Sequence, residues 1–139
     1  NFSSLYDQGK TVTPVQVLEW TREIQRLTAG SVAICVTIPA ILSVAEQIDL
    51  AVQIQAAGAD MLQIENLTGD LSHVAQIREV VQLPILLSGR LDVANMAEAM
   101  ATGADALGVG AAVRAAGDVP SMRRKIEALQ QAMMAVAVG

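Results

Sequence analysis

The regular alternation of helical and strand-like segments is the feature of this sequence that most constrains its fold. The same punctuation occurs at Gly58-Ala59-Asp60 and at Gly103-Ala104-Asp105, each time before a short apolar run. A glycine in this position can end a helix, and the residues after it can lead into a strand. Four runs that read as strands begin near residues 32, 60, 84 and 105. Because right-handed crossovers make such strands parallel, an α/β fold is predicted.

Helix signals support this order. Thr13-Pro14-Val15-Gln16 is a predicted capping box with proline at the first helical position, and Ser43 with Glu46 forms a second. A last helix is expected to begin near Asp118 and Pro120. Apolar stripes at helical spacing predict which side chains the helices bury. The predicted stripes are Val17, Trp20, Ile24 and Leu27; Val44, Ile48 and Val52; and Met122, Ile126, Leu129 and Met133.

The number of strands points to part of a barrel. The 139 residues are enough for a single domain, residues 1–139, but four strands cannot close a (β/α)8 barrel, which needs eight. The expected fold is therefore α/β, a half barrel of four parallel strands and about five to six helices. Three arrangements stay open: half of a longer polypeptide, pairing with another half, or a small doubly wound sheet. The lack of an initial methionine favours a truncated or processed chain.

Composition excludes several classes of function. The formal net charge of −5 argues against a nucleic-acid partner, which needs a basic face. No apolar run approaches the roughly 18 residues of a membrane span, and no signal peptide is visible at the start. The single Cys35 excludes an internal disulfide and a cysteine-based zinc site, and is expected in the core. Lys10 and Lys125 lie outside the strands, so no lysine is placed for a Schiff base.

Two glycine-rich strand ends predict an anion site between Leu83 and Val113. Two apolar runs, each ending in glycine, flank one short amphipathic helix there. In the last βαβ unit of a (β/α)8 barrel, such ends let the backbone approach a phosphate, and amides of a short helix point at it. Glycines at strand ends are also ordinary turn residues, which is the structural alternative. The predicted phosphate-binding residues are Ser88, Gly89, Arg90, Gly108, Gly110 and Ala111.

The candidate acid or base is Glu65, at the end of the second strand. Carboxylates in apolar surroundings can exchange protons near neutrality, although Glu65 could instead pair with an arginine or accept from loop amides. Arg90 could bind a phosphate with its bidentate fork or pair with Asp92. His73 is expected to be a solvated residue at a helix start. No metal-binding set is predicted.

Several short motifs, in their order along the chain, resemble a known family. They are Tyr6-Asp7-Gln8-Gly9-Lys10, Val36-Thr37-Ile38-Pro39, Gly58-Ala59-Asp60-Met61-Leu62-Gln63-Ile64-Glu65, Ser88-Gly89 and Gly108-Val109-Gly110-Ala111-Ala112-Val113. Together they resemble the C-terminal half of the hypothetical chloroplast reading frame twenty-three family, across about residues 2 to 115. The resemblance implies a TIM barrel of no established activity, located in the cyanobacterial cytoplasm or the chloroplast stroma. The sequence departs from the family pattern in a short loop after Glu65, at Arg90 and at Ala111.

Two functions follow from the residues and the resemblance. The first is a barrel that binds a phosphorylated small molecule, either a phosphometabolite or flavin mononucleotide, with Glu65 transferring protons. The second is a non-catalytic structural or protein-interaction module derived from such a barrel. Its partner would be the missing N-terminal half-barrel or another chain. A doubly wound regulator is disfavoured because no aspartate cluster ends the first strand.

Overall fold

The sheet consists of four parallel strands that follow one another in chain order. The computed structural model describes residues 12–137, so the Tyr6-Asp7-Gln8-Gly9-Lys10 motif lies outside the described residues. The strands are β1 (Cys35–Ile38), β2 (Met61–Glu65), β3 (Ile85–Ser88) and β4 (Ala106–Gly108). A doubly wound sheet reverses its strand order at a switch point, whereas sequential parallel order is that of a barrel wall. The predicted α/β fold with four parallel strands is confirmed and is consistent with half of a barrel.

Within residues 12–137, six α-helices alternate with the strands. They are α1 (Pro14–Thr28), α2 (Val44–Ala56), α3 (Ser72–Val80), α4 (Met96–Ala101), α5 (Gly110–Arg114) and α6 (Val119–Ala137), and a 3-10 turn at Val93–Asn95 precedes α4. Both predicted capping boxes form, at Thr13 and at Ser43. None of these six helices combines the length and apolar character that crossing a bilayer requires.

The aspartates of the two Gly-Ala-Asp segments make the same pair of hydrogen bonds. Asp60 Oδ2 accepts a hydrogen bond from the Ile34 amide at 2.7 Å, and the Asp60 amide donates to the Ile34 carbonyl at 2.9 Å. Asp105 repeats both contacts with Ile85, at 2.8 and 2.9 Å. Each aspartate thus joins the start of one strand to the start of the strand before it. We call this pair of hydrogen bonds the aspartate clasp.

One face of the sheet carries the hydrophobic core and the other is open. The core face is buried against the helices and consists of Val36, Ile38, Leu62, Ile64, Ile85 and Leu87. Right-handed crossovers between strands in sequential order place every connecting helix on the same face. The alternate positions project from the opposite face, and most of them keep some exposure: Cys35, Met61, Gln63, Glu65, Leu86 and Ser88. We call this second surface the open face; it corresponds to the interior side of a barrel wall.

Two predictions of burial are wrong. Cys35 is exposed, because it begins β1 on the open face. Partial desolvation nevertheless raises the pKa of its thiol. In α1, the helix buries Val17, Leu18 and Thr21 and leaves much of the predicted stripe exposed, with Leu27 66% exposed. The Thr21 hydroxyl tolerates burial because it donates to the Val17 carbonyl at 2.7 Å.

The predicted stripe of α2 is also out of phase with the structure, whereas that of α6 is largely on the covered side, with Met122 and Met133 half-buried. The stripe of α2 is replaced by a buried set of Gln47, Leu50, Ala51 and Ile54. On α6, Leu129 is buried as predicted, while Ile126 is 43% exposed.

Candidate functional site

The predicted site residues meet at the carboxyl-terminal edge of the sheet. In the strand register, Glu65 lies opposite Ser88, and Ser88 lies opposite Gly108. Because neighbouring strands are about 4.8 Å apart, these three positions form a row roughly 10 Å long. The edge therefore brings the candidate acid or base together with the predicted phosphate-binding residues.

A row of hydrogen-bonded side chains crosses the open face just below this edge. Thr37 Oγ1 donates to Gln63 Oε1 at 3.2 Å, and Gln63 Nε2 donates to Ser88 Oγ at 3.1 Å. Thr37 is buried, whereas Gln63 and Ser88 are half-buried. The row links β1, β2 and β3 and fixes the position of the Ser88 hydroxyl.

Two of the predicted phosphate-binding glycines are required by packing. Gly89 has φ +85°, and a Cβ added to it would lie 2.6 Å from the Asn66 carbonyl oxygen. A Cβ on Gly108 would lie 3.0 Å from the Ser88 Cβ. Gly89 therefore lets the turns after β2 and β3 pack closely, and Gly108 does the same for the ends of β3 and β4. Close packing of this kind was the structural alternative in the sequence.

Gly110 is different, because only a flexible side chain approaches it. A Cβ added there would meet Arg114 Nη1 at 3.2 Å, and Gly110 is the first residue of α5. Val109 caps this helix with no side-chain hydrogen bond. The first amides of a helix have no partner within it, so they are available to an acceptor. Gly110, Ala111 and the Arg114 guanidinium thus lie together at one exposed end of β4.

Sequence reasoning did not single out Arg114. Its signal was its spacing, since residues four apart on a helix lie on one face and Arg114 follows Gly110 by four positions.

The pairing predicted as an alternative for Arg90 is not formed. Asp92 pairs instead with Lys125 of α6, at 2.6 Å between Oδ1 and Nζ. Arg90 is exposed, and no carboxylate within residues 12–137 forms an ion pair with its guanidinium. Its backbone has φ +51°, and its carbonyl accepts from Asn95 Nδ2 at 2.9 Å. The Arg90 guanidinium is therefore not neutralised by the described part of the chain.

The Asp92–Lys125 pair predicts a dependence of stability on pH. The hydrogen bond from Lys125, helped by the Val93 amide, holds the pKa of the Asp92 carboxyl below its usual value. The resulting stabilisation is complete above the unfolded-state pKa of about 3.9 and is lost as the pH falls through the lower folded-state pKa. Asp92→Asn keeps an acceptor for the Val93 amide but removes the charge. We expect urea midpoints of the wild type to fall more steeply below about pH 4 than those of the variant. Parallel curves would contradict this.

A second polar region lies beside this edge, between the turns after β1 and β2. It is a cleft of about 340 Å³ whose polar lining includes Ser43, Gln47, Glu65, Asp70 and His73. We call it the β1–β2 cleft.

The expectation that His73 is solvated is wrong. Its side chain is buried, with 8% exposure, because α3 begins at Ser72 and turns His73 to the same face as Val74 and Ile77. The spacing of His73 and Ile77, four residues apart, was the sequence signal. Within residues 12–137, no cluster of three or more histidine, cysteine, aspartate or glutamate side chains is arranged to hold a metal ion.

This fold, with its row of polar groups at the strand ends, defines the class: parallel α/β proteins of the TIM-barrel type. The chain belongs to the family described as "Protein of unknown function (DUF561)", which matches residues 1–78 and 63–138.

Relatives from algae also support a family assignment. The chain is 26% identical to the uncharacterized protein ycf23 of Porphyra purpurea, with 96% of this chain and 56% of the relative covered. It is 27% identical to ycf23 of Antithamnion sp. (91% and 55% covered) and 29% identical to ycf23 of Cyanidium caldarium (79% and 51% covered). The predicted family is confirmed, and the chain spans about half the length of these curated relatives.

Solved structures agree on the fold. A dihydrodipicolinate synthase from Agrobacterium tumefaciens matches with a TM-score of 0.62 over 82% of this chain and 44% of that chain. A structure described as native KDPGal gives 0.65 over 93% and 68%, and a thiamine phosphate pyrophosphorylase from Pyrococcus furiosus gives 0.57 over 91% and 80%. All three are 18% identical to this chain, so they show the fold alone.

Proposed function

We propose that this chain binds a phosphate-bearing small molecule at the ends of β3 and β4. The observation that carries the proposal is the approach of the Arg114 guanidinium to Gly110, at the uncapped start of α5. Amides and a guanidinium are the donors that proteins use for phosphate oxygens. The proposed ligand-binding residues are the predicted set, Ser88, Gly89, Arg90, Gly108, Gly110 and Ala111, together with Arg114.

Charge supports this location. The chain has a formal net charge of −5, yet Arg90 and Arg114 both lie near this edge. Neither forms an ion pair with a carboxylate of residues 12–137. A dianion bound between them would neutralise both guanidinium groups with charge-assisted hydrogen bonds.

The side-chain row across the open face orients Ser88 for the same purpose. The buried Thr37 hydroxyl donates to Gln63, so the Gln63 amide turns its N–H toward Ser88. If the Gln63 amide were turned the other way, its nitrogen would face Thr37. The buried Thr37 hydroxyl proton would then have no acceptor among residues 12–137, which is costly. Ser88 Oγ therefore already accepts, and its own proton is free to be donated to an anion.

Glu65 is the proposed acid or base. It lies opposite Ser88 in the strand register, one strand away from the proposed phosphate. A ligand held there by its phosphate and extending along the edge toward β2 would bring its carbon chain to this carboxyl group. Flavin mononucleotide is one phosphate-bearing ligand of this kind, and phosphometabolites are the other class.

Substitution at Gly110 tests the binding site. Gly110→Asp places a carboxylate against the anion, while aspartate in the first turn of a helix is compatible with the fold. In calorimetric titrations with inorganic phosphate and flavin mononucleotide, we expect at least about tenfold weaker binding, or 1.4 kcal/mol. Arg114→Gln should weaken binding in the same direction, because it removes a charge-assisted donor.

The matched control is Arg22→Gln, which removes an exposed arginine of α1. It should leave the affinity unchanged. No binding of either ligand by the wild type, or an equal loss in Arg22→Gln, would overturn the proposal.

A second candidate function is an interaction module completed by another half-barrel. Apolar side chains are exposed on the first and last of the described helices: Leu27 of α1 is 66% exposed and Met134 of α6 is 68% exposed. The sheet also leaves its open face and the outer edges of β1 and β4 unpaired within residues 12–137. The partner that fits is a further four-stranded α/β half, because four additional strands would close the barrel.

We further propose that the protein acts in the cyanobacterial cytoplasm or the chloroplast stroma. The support is the algal source of its ycf23 relatives.

A further inference from the structure

The β1–β2 cleft contains a buried imidazole that lies near the Asp70 carboxylate and has no hydrogen-bond partner among residues 12–137. His73 is more than nine-tenths buried and lines the cleft. Neither of its ring nitrogens is hydrogen-bonded to any of residues 12–137. Both ring nitrogens also keep some contact with solvent, because within residues 12–137 the side-chain atom that is fully buried without a hydrogen-bond partner is Asn66 Nδ2. The imidazole therefore presents its polar atoms to the space inside the cleft.

The remaining polar lining of the cleft is rich in acceptors. The carboxyl groups of Glu65 and Asp70 line it together with His73. The amide and hydroxyl of Ser72 hold the pKa of the Asp70 carboxyl below its usual value, so this group is an ionised acceptor at neutral pH. Carboxylates accept only, and a neutral imidazole offers one donor and one acceptor. Such a lining is matched by a ligand with several hydroxyl groups.

The cleft adjoins the proposed phosphate site along the same edge. Glu65 connects the two, because it lines the cleft and lies opposite Ser88 of the proposed phosphate site in the strand register. The distance from the gap between β1 and β2 to the gap between β3 and β4 is two strand spacings, roughly 10 Å. At about 1.2 Å of advance per bond of an extended chain, this length corresponds to a phosphate ester of about five or six carbons.

We propose that the β1–β2 cleft binds the hydroxyl-bearing end of a sugar-like phosphate ester whose phosphate occupies the β3–β4 end. His73 is then a residue that determines specificity for hydroxyl groups. This inference rests on the proposed phosphate site, and it adds the substrate class.

The test compares inorganic phosphate with three phosphate esters that share a six-carbon chain. Dissociation constants are measured for inorganic phosphate, n-hexyl phosphate, sorbitol 6-phosphate and 6-aminohexyl phosphate. Sorbitol 6-phosphate should bind at least tenfold more tightly than n-hexyl phosphate. In His73→Leu this advantage should disappear, while the affinity for inorganic phosphate stays unchanged. Gln76→Leu, on the exposed side of the same helix, should retain the advantage.

His73→Asn serves as a second variant in case leucine in this buried position prevents folding, which circular dichroism would reveal. It keeps one polar nitrogen and should lose only part of the advantage. If inorganic phosphate binds but sorbitol 6-phosphate gains nothing over n-hexyl phosphate, the cleft assignment is wrong and the phosphate site stands. Preference for 6-aminohexyl phosphate would likewise overturn the assignment to hydroxyl groups. Failure of every phosphate compound would remove both proposals.

Discussion

Gly89→Ala is expected to lower the free energy of unfolding by about 3 kcal/mol. A residue with a side chain at φ +85° is strained, which costs roughly 1 kcal/mol or more. The added Cβ would also lie 2.6 Å from the Asn66 carbonyl oxygen, so the turns after β2 and β3 would have to separate, at about 1–3 kcal/mol. Urea denaturation followed by circular dichroism measures the loss.

The matched control is Gly117→Ala. Gly117 has nearly the same backbone angle, φ +86°, but nothing lies within 4 Å of an added Cβ. It should therefore show the backbone strain alone, roughly 1 kcal/mol. Equal losses in the two variants would show that the close approach of Gly89 to Asn66 does not matter for stability.

Leu87→Ala is expected to cost about 2–5 kcal/mol, as for other large-to-small substitutions in cores. Leu87 is fully buried on the core face of β3, where helices leave no route for water to fill the vacated space. Its neighbour Leu86 projects from the open face and is only partly buried. Leu86→Ala should therefore cost clearly less, and chemical denaturation of both variants under one condition gives the comparison.

The comparison of Leu86 and Leu87 also reports on the second candidate function. If another half-barrel covers the open face, Leu86 becomes an interior residue of the completed barrel. The cost of Leu86→Ala then approaches that of Leu87→Ala whenever the partner is present. A large difference between the two variants that does not change on adding a partner half would count against completion of the barrel.

The strand order and most element boundaries were predictable from local signals. The Gly-Ala-Asp repeats mark the starts of β2 and β4, and the Thr13 and Ser43 capping boxes mark the starts of α1 and α2. These signals act within a few residues, so they do not depend on the rest of the fold. The phase of helix burial could not be predicted in the same way. Which side of α1 is buried depends on the neighbours present, and α1 leaves Leu27 exposed.

The candidate site was predicted in part, for a similar reason. Parallel strands bring their carboxyl ends to one edge, so the proximity of Glu65, Ser88 and Gly108 followed from the strand assignment. The roles of Gly89 and Gly108 depend on contacts with another turn or strand, which a linear sequence does not display. The burial of His73 depends on the residue at which α3 begins. A shift of a single residue in a helix start turns a side chain by about 100°.

The aspartate clasp has a consequence for how quickly the chain can fold. The side-chain hydrogen bonds of the Asp60 and Asp105 clasps join residues 26 and 20 positions apart, so each clasp closes a short loop around one helix. Parallel pairing is slow in general because the entropy of loop closure must be overcome before the contacts form. A clasp at the mouth of each βαβ unit lets β1–β2 and β3–β4 assemble separately, with the β2–β3 seam joining them afterwards. Replacing Asp60 or Asp105 should then slow refolding more than it speeds unfolding.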